Sequence, residues 1–116
     1  MSKRIKRVNQ LIKRELAQIL LREFDFAKDI LVTVTRVETS PDLKAGRIFI
    51  SIIPEENRDK IMRFLNRNIY KIQQKLNKKL KMKSVPKIKF MEEKKTAAAA
   101  RIEEILERLK KEEKRI

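Results

Sequence analysis

Lysine and arginine are the residues of this sequence whose type and spacing best indicate a chemistry. Residues 58–89 contain twelve of them and a single acidic residue, Asp59. Cations at this density bind polyanions, because each ammonium or guanidinium group can neutralise one phosphate. A helix face that is only solvated usually mixes positive and negative side chains, which gain from i,i+4 pairs. The unmixed run therefore predicts a surface that binds nucleic acid.

The candidate phosphate-binding residues form two groups in the sequence. The first group comprises Lys71, Lys75, Lys78, Lys79, Lys81 and Lys83, together with Arg63 and Arg67. The second group comprises Lys3, Arg4, Lys6 and Arg7, in a stretch of fourteen residues that carries six cations and no acid. The second group occupies the start of a predicted helix, where the helix dipole favours acids. Cations at this unfavourable end are a second indication of an anionic partner.

The composition excludes several classes of chemistry. The chain has 116 residues, a formal net charge of +15, no cysteine and no histidine. It therefore lacks a thiol nucleophile, a disulfide and an imidazole base or metal ligand. Its one glycine, Gly46, excludes glycine-rich phosphate loops, and no apolar run approaches the ~20 residues that a membrane span needs. We expect one cytoplasmic domain without a cofactor, a metal or a membrane partner.

Three other functions remain as alternatives at this point. A DNA-binding protein would use the same basic surface, although the sequence shows no recognition-helix motif. A nuclease with a carboxylate-bound metal would need acidic residues, and the candidates are Asp25, Asp29, Asp42 and Asp59. Each of these lies beside a predicted turn or helix start, where capping is the commoner role. A protein-interaction module would dock through a helix at 96–116, which is compatible with RNA binding.

A regular fold must position these cations, and apolar spacing predicts the first elements. Residues 3–23 carry apolar side chains at three- and four-residue spacing and are predicted to form a helix. Residues 30–38 and 47–53 are rich in β-branched side chains and predict an antiparallel hairpin. The apolar set of the first strand slips from Val34 to Val37, which indicates a bulge or a change of neighbours.

The second half of the sequence predicts a long helical region, a short strand and a last helix. An apolar stripe runs without interruption from residue 61 to residue 80, after an N-terminal helix signal at Pro54. Residues 84–86, Ser-Val-Pro, are expected to end this helix, because a residue before proline disfavours helical angles. Residues 86–91 alternate apolar and basic side chains, as in a half-buried strand. The last helix is predicted to begin at Thr96.

The predicted element order is α-β-β-α(α)-β-α. Two or three helices on one face of a three-stranded sheet make an α+β fold. We divide the chain into a main RNA-binding domain, residues 1–95, and a C-terminal helix and tail, residues 96–116.

The few aromatic residues leave one question open. They are Phe24, Phe26, Phe49, Phe64, Phe90 and Tyr70. We expect each phenylalanine to fill the core. Tyr70 is equally compatible with the core and with stacking on an RNA base.

Four segments of the sequence resemble the ribosome-binding factor A family, a group of bacterial assembly factors of the small ribosomal subunit. They are RIKRVNQLIKRELAQIL (4–20), VTVTRVETSPDL (32–43), VPKIKF (85–90) and RIEEIL (101–106). The segment at 32–43 is the most specific of the four. Together they carry the resemblance over residues 3–106.

The resemblance implies a type II KH-like fold, α-β-β-α-kink-α-β, to which this chain adds a C-terminal helix. It also implies binding to the free 30S subunit and its 16S rRNA during late maturation, with help to processing of the RNA 5′ end and to growth in the cold. Small-subunit ribosomal proteins and other assembly factors are implied as further partners of a monomer. No catalysis and no cofactor are implied. Because lysine reads no base, we expect specificity to come from RNA shape and protein contacts.

One feature of the sequence departs from the resemblance. Ordinary KH domains carry a Gly-x-x-Gly loop between two helices, and this sequence has none. The family has an Ala-x-Gly kink instead, and counting back from the third strand places it at Asn68, Ile69 and Tyr70, where both the alanine and the glycine are missing. Asn66 or Asn68 tolerates unusual backbone angles. We therefore expect two helices that meet near residues 66–70, although the unbroken apolar stripe favours a mild bend.

Overall fold

A computed structural model of the chain describes residues 3–93 and 97–115, which contain four α-helices and three strands. The elements are α1 (Lys3–Glu23), β1 (Leu31–Thr39), β2 (Ala45–Ile53), a 3-10 turn (Glu55–Asn57), α2 (Arg58–Arg67), α3 (Ile69–Lys79), β3 (Lys87–Glu92) and α4 (Ala97–Arg115). The predicted α+β, type II KH-like order with two helices before the third strand is confirmed. The predicted start of the last helix, Thr96, lies outside the described residues.

The three strands form one sheet in the order β1-β2-β3, with β1 antiparallel and β3 parallel to β2. The predicted bulge in β1 is confirmed, because the register shifts between Val34 and Arg36 and leaves Thr35 as the extra residue. Val34 and Val37 are both buried, although they are three positions apart. A regular strand would point them to opposite faces, so the bulge is what keeps both in the core.

The core lies between this sheet and the helices that cover one of its faces. α1 fully buries Ile12 and Leu16, α3 fully buries Ile72 and Leu76, and Ile48 of β2 is equally inaccessible. Burial of each side chain of this size stabilises the fold by ~1.5–3 kcal/mol. No polar or charged side chain is buried among the residues that the structure describes. The charges of this part of the chain therefore lie at the surface.

The end of α3 differs from the sequence prediction. The apolar stripe predicts a helix as far as residues 84–86, but α3 ends at Lys79. Leu80 has extended backbone angles, φ −93° and ψ 125°, and its side chain is nevertheless buried. The chain leaves the helix here because it must reach the start of β3, where the Lys87 N–H donates to the Lys44 carbonyl at 2.9 Å. The prediction of a helix that continues to residues 84–86 was therefore wrong, because the apolar spacing continues past the last helical residue.

Candidate nucleic-acid interface

Helix α3 has one apolar face and one cationic face. Ile72 and Leu76 are spaced four residues apart and point into the core. Lys71, Lys78 and Lys79 are exposed on the rest of the helix surface. The same spacing that buries the apolar stripe therefore holds these ammonium groups in solvent.

Asn68 separates α2 from α3. Its backbone angles, φ −102° and ψ 10°, are not those of a helix, and its N–H lies 3.1 and 3.2 Å from the carbonyls of Phe64 and Leu65. Its side-chain amide also donates to the Phe64 carbonyl at 2.8 Å, and its own carbonyl accepts from Ile72 at 3.0 Å. Asparagine thus satisfies the last turn of one helix and starts the next, without alanine or glycine. Ile69 and Tyr70, the other two residues of the predicted kink, form the first turn of α3.

The remaining candidates of the first group lie on α2 and beyond α3. Arg63 and Arg67 are exposed on α2, and the Arg63 Nε donates to the Asp59 carbonyl at 3.3 Å. Lys81 and Lys83 are exposed in the irregular segment 80–86. The predicted residues therefore come from two helices and a connection, and not from one continuous helix face.

The second group lies near the end of the sheet where this irregular segment meets β3. Lys3, Arg4, Lys6 and Arg7 are all exposed on the first turns of α1. Just beyond them, the side chain of Asn9 accepts a hydrogen bond from the Thr39 hydroxyl at the end of β1. Thr39 pairs with Gly46, and a β-carbon at Gly46 would lie 3.6 Å from the Cβ of Pro86. The start of α1 and the end of the 80–86 segment therefore lie at the same end of the sheet.

The two arginines of α2 lie towards the opposite end of α1. The Phe64 ring packs edge-on against Phe24, which follows α1, with ring centroids 5.3 Å apart. A helix of the length of α1 spans ~30 Å. The structure therefore arranges the predicted cations as an extended band along the helices, and does not bring all twelve into one patch. We call these twelve residues the helix band.

One acidic side chain forms an ion pair with a member of the helix band. The Glu23 carboxylate at the end of α1 contacts the Lys75 ammonium at 3.0 Å. The hydrogen bond and charge of Lys75, with the charges of Lys71 and Lys79, lower the pKa of Glu23 below its ordinary value of 4.5. The charges of three lysines of α3 therefore act on one carboxylate, and Lys75 is the one in contact with it. Among the residues that the structure describes, Lys75 is the one member of the band with an ion-pair partner.

The arginines on the open face of the sheet, unlike most cations of the helix band, pair with carboxylates. Arg36 Nε lies 3.0 Å from a Glu93 carboxylate oxygen, and its guanidinium carbon lies 3.7 Å from the centroid of the Phe49 ring. Arg47 contacts Glu38 at 3.2 Å, and Glu38 also contacts Arg36. The hydrogen bond with Glu93 raises the pKa of Arg36 further above its ordinary value. We call these residues the sheet network, and its arginines hold strands together.

The structure shows a further basic group that the sequence reasoning did not select. Lys87 and Lys89 are exposed, and Lys89 is the cross-strand neighbour of Arg47. They share the open face because residues two apart in a strand point the same way. Their alternation with Ile88 and Phe90 was the available signal, and it was used only to predict the strand.

The acidic residues considered for a metal site are not gathered. Asp42 accepts from the Ser40 hydroxyl at 2.6 Å and from the Lys44 N–H at 3.1 Å, and these bonds lower its pKa. Asp59 lies 3.8 Å from Arg58, and Asp29 lies 3.6 Å from Lys110. The described part of the chain contains no cluster of acidic residues suited to a metal ion. No helix in this part is both long and apolar enough to cross a membrane.

Four of the five phenylalanines pack inside or against the core, as predicted, and Phe90 is buried there. The prediction was wrong for Phe49, whose ring is buried on the open face of the sheet beneath the Arg36 guanidinium, because its strand neighbours Ile48 and Ile50 take the core face. Phe24, Phe26 and Phe64 are half-buried, and each of the first two rings packs against Phe64. Tyr70 is different, because 75% of its surface is exposed.

The sequence is similar to that of known proteins of one family. The model of the ribosome-binding factor A family matches residues 4–106. Ribosome-binding factor A of Bdellovibrio bacteriovorus is 34% identical over 113 residues, which cover 97% of this chain and 84% of that protein.

Structures of two relatives show the same fold. The crystal structure of ribosome-binding factor A from Thermus thermophilus superimposes with a TM-score of 0.66 at 22% identity, over 76% of this chain and 93% of that one. A homology model of the Thermus thermophilus factor, fitted into a cryo-EM map of its complex with 30S, gives a TM-score of 0.61 at 23% identity, over 72% and 88% of the two chains. From its family-model match and its sequence identity to these relatives, the chain belongs to the ribosome-binding factor A family.

Proposed function

We propose that this protein binds the free 30S ribosomal subunit through 16S rRNA and promotes late maturation of the subunit. The family supports this proposal by its name, and the Thermus thermophilus relative was placed in a map of its complex with 30S. The observation that carries it is the helix band, whose exposed cations outside Lys75 have no carboxylate partner among the described residues. Phosphate groups of the RNA are the partners that would neutralise them.

The binding mechanism is electrostatic. Each lysine ammonium is a compact charge that contacts one phosphate and releases its counterions. The extended band is better matched to a stretch of RNA backbone than to a single phosphate group, because its charges are spread along ~30 Å of helix. Sequence discrimination by these lysines is weak. The shape of the folded RNA and contacts with small-subunit proteins supply the specificity.

The role of the protein is to hold RNA in place, with no chemical step and no cofactor. Binding near the 5′ region of 16S rRNA would present that end to processing enzymes, and this is how we interpret the family's implied role in 5′-end processing. A factor that stabilises folded RNA is most needed in the cold, where misfolded RNA rearranges slowly. We place this action in the cytoplasm, by a monomer that acts beside other assembly factors.

The first experiment is co-sedimentation across a salt series. The protein is mixed with purified 30S subunits, 50S subunits, 70S ribosomes and duplex DNA of equal phosphate concentration. Selective retention on free 30S subunits supports the proposal. If six to ten phosphates are contacted, affinity should fall ~10³–10⁵-fold between 50 and 200 mM salt. Equal, salt-sensitive binding to all four partners would mean that net charge alone is responsible.

We also propose separate roles for the two segments of the chain. We assign RNA binding to residues 1–95 and treat residues 96–116 as an added helix. Removing residues 97–116 should leave binding to 30S subunits within about twofold. A large loss would instead support the alternative in which this helix docks on a ribosomal protein.

A further inference from the structure

Tyr70 is the most exposed aromatic side chain that the structure describes. Its surface is 75% exposed, whereas every phenylalanine is buried or half-buried. An aromatic ring in water forgoes the stabilisation that burial would give. Among the described residues it has no ring contact, ion pair or hydrogen bond through its side chain. Its position is therefore not explained by packing.

The backbone beneath Tyr70 is well fixed. Asn68 holds the end of α2 through its side chain at 2.8 Å and starts α3 through its carbonyl at 3.0 Å. Two residues after Tyr70, Ile72 is completely buried in the core. The ring thus projects from the first turn of a helix that is anchored on both sides. Because the backbone is already fixed, stacking on a flat partner would have to order only the side-chain torsions of the tyrosine.

The neighbours of Tyr70 are cations. Arg67 lies three residues before it, Lys71 follows it, and both are exposed. Arg63 lies one further turn back on α2. Neither Arg67 nor Lys71 makes an ion-pair contact with a carboxylate in the described part of the chain, although the charge of Lys71 acts on Glu23. An exposed ring with exposed cations close to it in the sequence is the combination by which proteins bind single-stranded nucleic acid, with stacking for the base and charge for the backbone.

We propose that Tyr70 is a stacking platform for one unpaired base of RNA, with Arg67 and Lys71 on the adjoining phosphates. This inference rests on the proposed function and adds a preference that lysine alone cannot supply. A base within a duplex has both faces covered by its neighbours. The helix band would therefore bind duplex and single-stranded RNA, whereas the junction of α2 and α3 would select RNA with an accessible base.

The chain offers a direct probe of this site, because it contains one tyrosine and no tryptophan. Its intrinsic fluorescence therefore reports on Tyr70 alone. The experiment titrates the full-length protein with a ten-nucleotide single-stranded RNA of mixed sequence and, in parallel, with the same RNA annealed to its complement. Stacking should strongly quench the emission with the single strand, and the duplex should bind with little quenching.

Substitution at the same position measures the contribution of the ring. Y70A should weaken binding of the single strand about ten-fold and leave the salt dependence unchanged, because no charge is lost. Y70F, which keeps the ring, should restore binding. L21A is the matched control, since Leu21 is 81% exposed and lies on α1 away from the junction. It should bind as the wild type does.

The outcomes separate this inference from the proposed function. If 30S subunits and single-stranded RNA bind Y70A as tightly as the wild type, and saturating RNA leaves the fluorescence unchanged, the stacking platform is wrong while subunit binding stands. If Y70A loses affinity for duplex and single strand alike, the ring has no preference for an unpaired base and the inference also fails. If the wild type binds neither RNA nor 30S subunits, the proposed function fails with it.

Discussion

On the open face of the sheet, Arg36 and Arg47 lie 3.0 and 3.2 Å from carboxylate oxygens, whereas on α3 the exposed Lys71, Lys78 and Lys79 have no such partner among the described residues. The first arrangement neutralises charge within the protein and links strands. The second leaves like charges near one another, which costs stability through repulsion. The same residue types therefore serve the fold in one region and a partner in the other, and the presence of a carboxylate distinguishes the two uses.

The largest effect should come from reversing the unpaired charges. K71E, K78E and K79E combined should weaken binding to 30S subunits ~100-fold or more, because three phosphate contacts become repulsive, and should make the salt slope shallower by about three. The measurement is sedimentation or fluorescence anisotropy across the salt series. Circular dichroism should show that the variant is folded, since none of these side chains is buried.

The matched control changes the charge equally on the sheet side. Lys87 and Lys89 are exposed on the open face of the sheet, and Lys44 is exposed in the turn before β2. K44E, K87E and K89E combined alter net charge by the same amount. We expect this variant to bind within about threefold of the wild type. Equal losses in the two triple variants would mean that net charge governs binding and that the two surfaces are not distinct.

The two faces of α3 should also separate binding from stability. L76A removes a fully buried side chain and should lower the free energy of unfolding by ~2–5 kcal/mol. K78A, two residues along the same helix, should change it by less than ~0.5 kcal/mol. Urea denaturation measures both. A large stability loss in K78A would show that this lysine supports the fold and is not reserved for a partner.

Glu23 tests the difference between the helix band and the sheet network. It is a carboxylate that pairs with a lysine of the helix band, as the carboxylates of the sheet network pair with its arginines. E23Q should release Lys75 for phosphate, raise affinity for 30S subunits about three- to fivefold and steepen the salt slope by up to one. E15Q is the control, since Glu15 contacts Arg14 and no member of the band. Unchanged or weaker RNA binding by E23Q would mean that Lys75 takes no part in the interface.

The same pair predicts a pH dependence. The folded protein lowers the pKa of Glu23, mainly through its hydrogen bond with Lys75. The stabilisation is therefore fully present above the ordinary value of 4.5 and is lost as the pH falls through the lower folded value. Thermal unfolding between pH 6 and 3 should show the advantage of the wild type over E23Q shrinking towards the acid end. A constant difference would contradict the pairing.

The smallest effect is expected in the sheet network. R36A removes the guanidinium that covers Phe49 and contacts Glu93, and it should lower the Tm by about 2–5 °C. Binding to 30S subunits should be unchanged within error. R36K keeps the charge but loses the planar stacking, and it should recover only part of the Tm. A loss of RNA binding in R36A would assign the open face of the sheet to the interface.

Local periodicity predicted most of this fold. The helix at 3–23 agrees with α1 residue for residue, because its apolar spacing is uninterrupted by glycine or proline. The bulge near Thr35 followed from the slip between Val34 and Val37. The end of α3 was missed for a physical reason. Leu80 continues the apolar spacing and is buried, but it reaches the core from an extended backbone, and the pattern does not distinguish the two.

The arrangement of the cations was less predictable than their identity. Sequence counting selected the run at 58–89, yet it could not show that Glu23 would pair with Lys75 from another helix. It also treated Arg58 as part of the run, whereas this arginine contacts Glu55 at 3.1 Å and Glu92 at 2.9 Å and ties α2 to β3. Partners far apart in sequence depend on the packing of helices against the sheet, which local patterns do not contain.

Lysine acetylation footprinting on 30S-bound protein compares the helix band and the sheet face in one experiment. The protein is labelled free and in complex, and the modified lysines are quantified by mass spectrometry. We predict strong protection of Lys71, Lys78 and Lys79 in the complex, with Lys87 and Lys89 as reactive as in the free protein. Protection of Lys87 and Lys89 with α3 still reactive would contradict the assignment of the interface to the helix band.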